Sequence, residues 1–314
     1  MNELYKELKK YGEVKTKIPL SKHTTFQIGG WAEFFIEVKE TELLIQLLDF
    51  LNSEGVEFFI LGGGSNLLWI DQNFSGVVIK IATSGLKLKE EFVEVEAGVP
   101  LSLVVNLAVK NELSGLEWAV GIPGTLGGAV RGNAGSMGKS MADCIQKVFV
   151  WVDGEVKEYS KAECGFGYRE SIFKSHKNMV VLKTTLKLEK SSRQEVSSVV
   201  AKNLGNRKNF PKWPSAGSFF KNIRLENWPQ EKEKLPDLFI SRGTVPAGWL
   251  IENCGLKGFR IGDAGVSQEH GNFLVNFGSA TQEQVLQVVE EVQKKVYDKY
   301  GVSLEPEVQI VSSR

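Results

Sequence analysis

The apolar residues of this chain change period several times, and each change predicts an element. "WAEFFIEV" (31–38) and "EFFIL" (57–61) read as strands, with "TELLIQLLDFLNSEG" (41–55) as the helix between them. Thr41 is the expected N-cap of that helix and Gly55 lies past its end. "GVVIKI" (76–81) adds another strand, so the opening reads as an α/β unit of about 80 residues.

The middle of the chain has a different character. "FVEVEAG" (92–98) alternates as a strand does, and "PLSLVVNLAVKNE" (100–112) predicts a helix with Pro100 in its first turn. "VFVWVDGEVKEY" (148–159) is two alternating runs joined by Asp153-Gly154, a hairpin with a type I′ turn. "MVVLKTTLKLE" (179–189) is one more strand, and the stretch as a whole predicts an antiparallel-rich α+β arrangement. A connecting helix is expected at 193–208, followed by a Pro- and Gly-rich boundary, "FPKWPSAGS" (210–218). Beyond it come a short helix at 247–255, a strand at 272–276 and the clearest helix of the chain, 281–301. There Thr281 and Gln284 form a capping-box pair, Val285, Val289, Val292 and Val296 recur at helical spacing, and Gly301 closes the run. The last strand, "EVQIV" (307–311), is expected to return to the first domain.

Composition narrows the function classes. The 314 residues carry 38 basic and 38 acidic side chains, so no basic stripe favours nucleic acid. The N-terminal stretch is too polar for a signal peptide, and no run approaches the length of a membrane span. Three cysteines, Cys144, Cys164 and Cys254, lack a CxxC spacing and fit a reducing cytoplasm better than a disulfide framework. The three histidines are far apart in sequence, so no structural metal site is expected. Redox chemistry in such a chain calls for an organic cofactor.

Two glycine-rich stretches supply a place for one. "LGGGSN" (61–66) follows a strand, and Gly62, Gly63, Gly64, Ser65 and Asn66 would turn main-chain N–H groups into one concavity. "GIPGTLGGA" (121–129) offers a second surface: Pro123 stiffens the turn between Gly121-Ile122 and Gly124, and Gly127, Gly128 and Ala129 stand where a short helix begins. Asn133 follows in the same stretch. Neither is a Rossmann fingerprint nor a P-loop. One such turn alone is more often only a turn; two in one chain suit a dinucleotide pyrophosphate.

That pairing resembles the FAD domain of the vanillyl-alcohol-oxidase and p-cresol-methylhydroxylase superfamily. Ser65 and Asn66 stand where many of its oxidases carry a flavin-linking histidine, so FAD is expected without a covalent bond. Six further blocks occur in order: "GIPGTLGGAVRGNAGSMG", "GYRESIFK", "PSAGSFFKN", "AGWLIENCGLKG", "HGNFLVN" and "LEPEV". Together they resemble the UDP-N-acetylenolpyruvoylglucosamine reductases over nearly the whole chain. The resemblance implies an NADPH-dependent, FAD-mediated reduction that yields UDP-N-acetylmuramate for peptidoglycan. Reduced FAD would pass a hydride to the enolpyruvyl methylene carbon. It implies Arg169, Ser218 and Glu307 as catalytic residues, with Ser218 as the proton donor, and Asn222 and His270 on the substrate side.

The implied architecture has three parts: residues 1–80 with 303–314, and 81–213, both holding FAD, and 214–302 for the substrate. The partner would be a UDP-sugar, with no nucleic acid and no membrane, and the protein a cytoplasmic monomer. Three departures stand out. No Tyr occurs from Glu170 to Gly217, so the chain resembles the class without a tyrosine lid. "KNIR" replaces the usual KNP, and Gln309 stands where a basic residue could help hold flavin. Two rivals remain open at this level: another FAD oxidoreductase or oxidase of the same fold acting on an alcohol or sugar, and a non-catalytic binder of sugar nucleotides.

Overall fold

In the computed structural model, residues 2–70, 73–176 and 178–312 are described. They form two compact units, each with its own apolar core. The first unit takes in Ala32–Gly63 and Ser75–Lys208 with the N-terminal stretch up to Ile18. The second comprises Pro19–Trp31, Gly64–Phe74 and the chain from Asn209 onward.

The first unit holds a four-stranded and a five-stranded sheet, one on each side in sequence of residues 82–85. The four-stranded sheet runs Glu13–Pro19, Trp31–Val38, Asn73–Ile81, Phe58–Leu61 across its width. Phe58–Leu61 lies parallel to residues 77–80 in register Phe58 to Val77, the pairing a strand–helix–strand unit requires. The intervening helix, Thr41–Ser53, buries Leu44, Leu47, Leu48 and Leu51, spaced to line one face. Its start corrects the sequence reading. Glu40 occupies the N-cap, and the Thr41 hydroxyl instead donates to Glu96 Oε1 at 2.8 Å. A tertiary carboxylate engages the hydroxyl that the sequence assigned to the first-turn N–H groups.

The five-stranded sheet is antiparallel at every pairing, in the order Glu155–Ser160, Ile145–Val152, Met179–Lys187, Phe92–Glu96, Leu86–Lys89. Asp153 and Gly154 make the expected hairpin turn with φ of +50° and +87°, the pair of positive values a type I′ turn needs. The helix Leu101–Lys110 starts just after Pro100, which stands at the cap instead of inside the first turn.

In the second unit a four-stranded sheet, Ser215–Ser218, Phe273–Asn276, Ala264–Val266, Arg260–Ile261, packs with the helix Gln282–Tyr300. Val285, Val289, Val292 and Val296 are all buried, with Val288 filling the same face. The capping box forms: Gln284 N donates to Thr281 Oγ1 at 3.2 Å and Thr281 N to Gln284 Oε1 at 3.3 Å. Gly301 ends the helix with φ +70°, the left-handed value that favours glycine. The final strand, Gln309–Val311, pairs in parallel with Leu67–Trp69. The fold is α+β, and no helix among the described residues is long and apolar enough to cross a membrane.

Candidate active site

Gly62 and Gly63, of the first glycine stretch, meet the second stretch inside the first unit. A Cβ on Gly62 would lie 2.6 Å from Thr125 Oγ1, and one on Gly63 would lie 2.5 Å from the Cα of Gly124. At Gly63 main chain thus packs on main chain, and at Gly62 on the Thr125 side chain, where a further side chain would force the loops apart. Gly127 is bare for a different reason, since its Cβ would strike the Ala97 Cβ at 2.7 Å. The helix Leu126–Arg131 begins where expected, but its first N–H groups are engaged. Leu126 N donates to Val99 O and Gly127 N to Ala97 O, both at 2.9 Å. Those two donors dock the helix on the sheet and are not open to an anion. Gly121, Pro123 and Gly128 are exposed, and Ile122 is half-buried with its N–H on Ala119 O at 3.0 Å. Ala129 is buried behind them.

Lys80 is a partner that motif reading missed. It rises from the strand Asn73–Ile81 and its Nζ donates to the carbonyl of Gly62. Burial pushes its ammonium below the ordinary lysine value, against the pull of Glu37. The signal was present in "VVIKI", where one cation interrupts an apolar run.

Arg169 sits in a turn whose ends bond each other, Gly167 N to Glu170 O at 3.0 Å and Glu170 N to Gly167 O at 3.2 Å. Its φ is +59°, uncommon for a long side chain. One of the five guanidinium N–H donors goes to Gly135 O at 2.7 Å, and the group also lies over the Tyr168 ring, 5.3 Å from its centroid. Gly135 must be bare here, since its Cβ would lie 3.1 Å from Arg169 Nη1 and 2.5 Å from Lys139 O. Asn133 is buried, with its amide bonded to Gly167 and Ala142.

The second unit brings Ser218 and Glu307 side by side through the main chain. Ser218 pairs with Phe273 in the sheet, and the carbonyl of the next residue, Phe219, accepts from Glu307 N at 2.8 Å. Asn66 clamps the same place: its Nδ2 donates to Glu307 O at 3.2 Å, and its own carbonyl accepts from Gln309 N at 3.0 Å. Gly64, φ +62°, fits there because a Cβ would stand 2.0 Å from His23 O; Ser65 follows it, half-buried. A second residue missed in sequence, Asn272, holds the serine segment. Its side chain accepts from Phe220 N at 2.9 Å and donates to Phe220 O at 2.8 Å, and its carbonyl accepts from Phe219 N at 2.7 Å.

Asn222 Oδ1 accepts from Ala247 N at 3.1 Å and so caps the helix Ala247–Asn253. His270 packs edge-on to Phe210 and Phe273, with centroids 5.7 and 5.0 Å away. Its Nδ1 accepts from Asn272 N at 3.1 Å, so in the neutral ring the proton is on Nε2. Burial holds its pKa below the ordinary 6.5, with Lys257 acting the same way and Glu252 opposing.

Comparison with known proteins accounts for both halves of this arrangement. Residues 32–160 match an FAD binding domain, and residues 209–311 match the C-terminal domain of UDP-N-acetylenolpyruvoylglucosamine reductase. The UDP-N-acetylenolpyruvoylglucosamine reductase of Fervidobacterium nodosum is 38% identical over 294 residues, covering 93% of this chain and 89% of the relative. That of Bacillus subtilis is 34% identical over 318 residues and 99% of each chain. The crystal structure of the Thermus caldophilus reductase superposes with a TM-score of 0.77 at 36% identity, over 95% of this chain and 98% of its own. Bare glycine stretches under an FAD-binding domain, followed by a reductase C-terminal domain over the serine and glutamate segments, leave one assignment: the chain belongs to the UDP-N-acetylenolpyruvoylglucosamine reductase family.

Proposed function

We propose that this chain is the FAD-dependent enzyme that reduces UDP-N-acetylenolpyruvoylglucosamine to UDP-N-acetylmuramate, the reduction step of peptidoglycan precursor synthesis, with NADPH as the electron source. The observation that carries it is the end-to-end match to reductases of that name, with an FAD-binding domain in its expected place. The residues present fit the cofactor. Gly63 stacks on Gly124 by main chain, and Gly121, Pro123 and Gly128 are exposed. Gly62 and Gly63, braced by Lys80, would hold FAD together with Gly121, Ile122, Pro123, Gly124 and Gly128. When bound, FAD supplies hydride transfer from NADPH to the substrate.

The chain's own residues handle charge and the proton. As the methylene carbon of the enol ether is reduced, negative charge builds on the neighbouring carbon and its carboxylate. Arg169 answers that charge with a planar, permanently cationic fork suited to a carboxylate. Preorganised donors of this kind act without reorganising during the reaction. The Ser218 hydroxyl delivers the proton to the carbon bearing the carboxylate, a transfer that needs contact distance because serine is a weak acid. Glu307 is the third member of this set, its segment bonded to that of the serine through Phe219 O. Asn222 and His270, the latter with a neutral Nε2–H, face the sugar nucleotide.

As proposed, residues up to 80 and 81–213 hold FAD, 214–302 bind substrate, and 303–314 rejoin the first part. The enzyme is a cytoplasmic monomer; its unpaired thiols suit a reducing compartment. Stopped-flow spectroscopy of the FAD-loaded protein tests the reaction. Flavin should bleach with NADPH and recover its colour with the enolpyruvyl sugar nucleotide. Recovery with oxygen alone, and none with that substrate, would overturn the assignment in favour of an oxidase.

A further inference from the structure

We infer that Asn133 and Ser171 are positioning residues for Arg169: they clasp the arginine turn to the tail of the second glycine stretch and hold its left-handed backbone in place. The inference rests on the proposed role of Arg169 in gripping the substrate carboxylate.

Four contacts make the clasp. Asn133 Nδ2 donates to Gly167 O at 2.7 Å, and Asn133 Oδ1 accepts from Ala142 N at 3.0 Å, so both ends of the amide are engaged by protein. Ser171 Oγ donates to Arg131 O at 2.6 Å. The Arg169 guanidinium closes the ring by donating to Gly135 O at 2.7 Å. Residues 131, 133 and 135 thus bind 171, 167 and 169, tying one short segment to the other at three points. Both clasping side chains are buried, with Asn133 5% and Ser171 2% exposed.

The turn needs such support. Asn133 and Arg169 both have positive φ, +41° and +59°, and only asparagine among the two tolerates that readily. Arg169 stays there because its surroundings over-determine it. Lys174 adds an outer brace, its Nζ donating to Arg169 O at 2.9 Å. An amide aimed wholly at Gly167 and Ala142 serves to aim the guanidinium.

Asn133→Asp and Ser171→Ala test the clasp on FAD-loaded protein. Aspartate keeps the acceptor for Ala142 and tolerates positive φ, but cannot donate to Gly167. Flavin reduction by NADPH should stay within about twofold of the parent, because Arg169 has no part in it. Reoxidation by the enolpyruvyl sugar nucleotide should slow by about 10²-fold, the scale expected when a gripping group is displaced by an ångström. Variants within twofold of an active parent in both half-reactions would overturn the clasp alone. Equal slowing of both would reduce it to general structure and overturn it too. A parent whose flavin is not reoxidised by this substrate would overturn the functional reading first. Hydrogen exchange on the unmodified protein gives an independent check. The amides of Ala142, Gly167 and Glu170 should open as one unit; a turn exchanging orders of magnitude faster than Ala142 is not clasped.

Discussion

Gly63 lies so close to Gly124 that a Cβ on the first would stand 2.5 Å from the Cα of the second. Two loops separated by some sixty residues of chain become one surface because neither carries a side chain there. Gly63→Ala should therefore part them, at a cost of about 1–3 kcal/mol for overpacking, and weaken FAD binding. Gly128→Ala is the contrast, since its Cβ would meet only Thr125 Oγ1 at 3.7 Å. That variant should keep its melting temperature and lose FAD affinity alone. Thermal melts and flavin-fluorescence titration of the apoprotein measure both. A Gly63→Ala protein as stable and as flavin-avid as the parent would show that this contact is not what brings the loops together.

Ser218 is held between two fixed segments, its own strand pairing with Phe273 and the neighbouring carbonyl bonded to Glu307 N. Ser218→Ala should disturb neither and leave flavin reduction by NADPH near normal. Reoxidation by substrate should fall by about 10²- to 10⁴-fold, the range for loss of a positioned proton donor. Stopped-flow traces of the two half-reactions decide it. If both slow together, the serine is not the proton donor.

His270 carries a pH signature. Its folded-state pKa lies below the 6.5 of the free ring, so the unfolded chain binds the proton more readily. Stability should rise with pH through the interval between those two values and fall as the medium is acidified below 6.5, by at most about 1.4 kcal/mol per pH unit. Glu252 and Lys257 face the ring and modulate the effect. His270→Gln should flatten this part of the profile in denaturant melts at pH 5 to 8. An unchanged slope in the variant would mean that the imidazole is not what titrates.

The three thiols should differ in reactivity. Burial pushes Cys144 and Cys164 to about 12, and both are closed to solvent. Cys254 is half-buried; burial raises its pKa, and Lys299 and Lys295 oppose that rise. A thiol-exchange reagent at mild alkaline pH should titrate one cysteine in the native protein and three after unfolding. Two fast thiols in the folded state would contradict the packing around Cys144 or Cys164.

Much of the fold was legible because local rules and tertiary packing agreed. Asp153-Gly154 could turn a hairpin only one way, and the valines of 285–296 had one face to bury. Thr41 shows the limit. It had the residue type of a cap, yet Glu96, brought near by folding, took its hydroxyl. Gly127 is similar: a glycine next to a helix start suggested an anion site, and the reason for its bareness is the methyl group of Ala97.

The order of residues alone determined the elements, the two bare stretches and the motif series that marks the reductase family, because each depends on short-range periodicity or on residue identity. What Asn133, Lys80 and Asn272 do was decided only in three dimensions. An amide or an ammonium has many possible partners along a chain, and its choice depends on which main-chain groups packing has left within about 3 Å and cut off from water. Gly167, Gly62 and Phe220 are those partners here, and no spacing in the sequence distinguishes them.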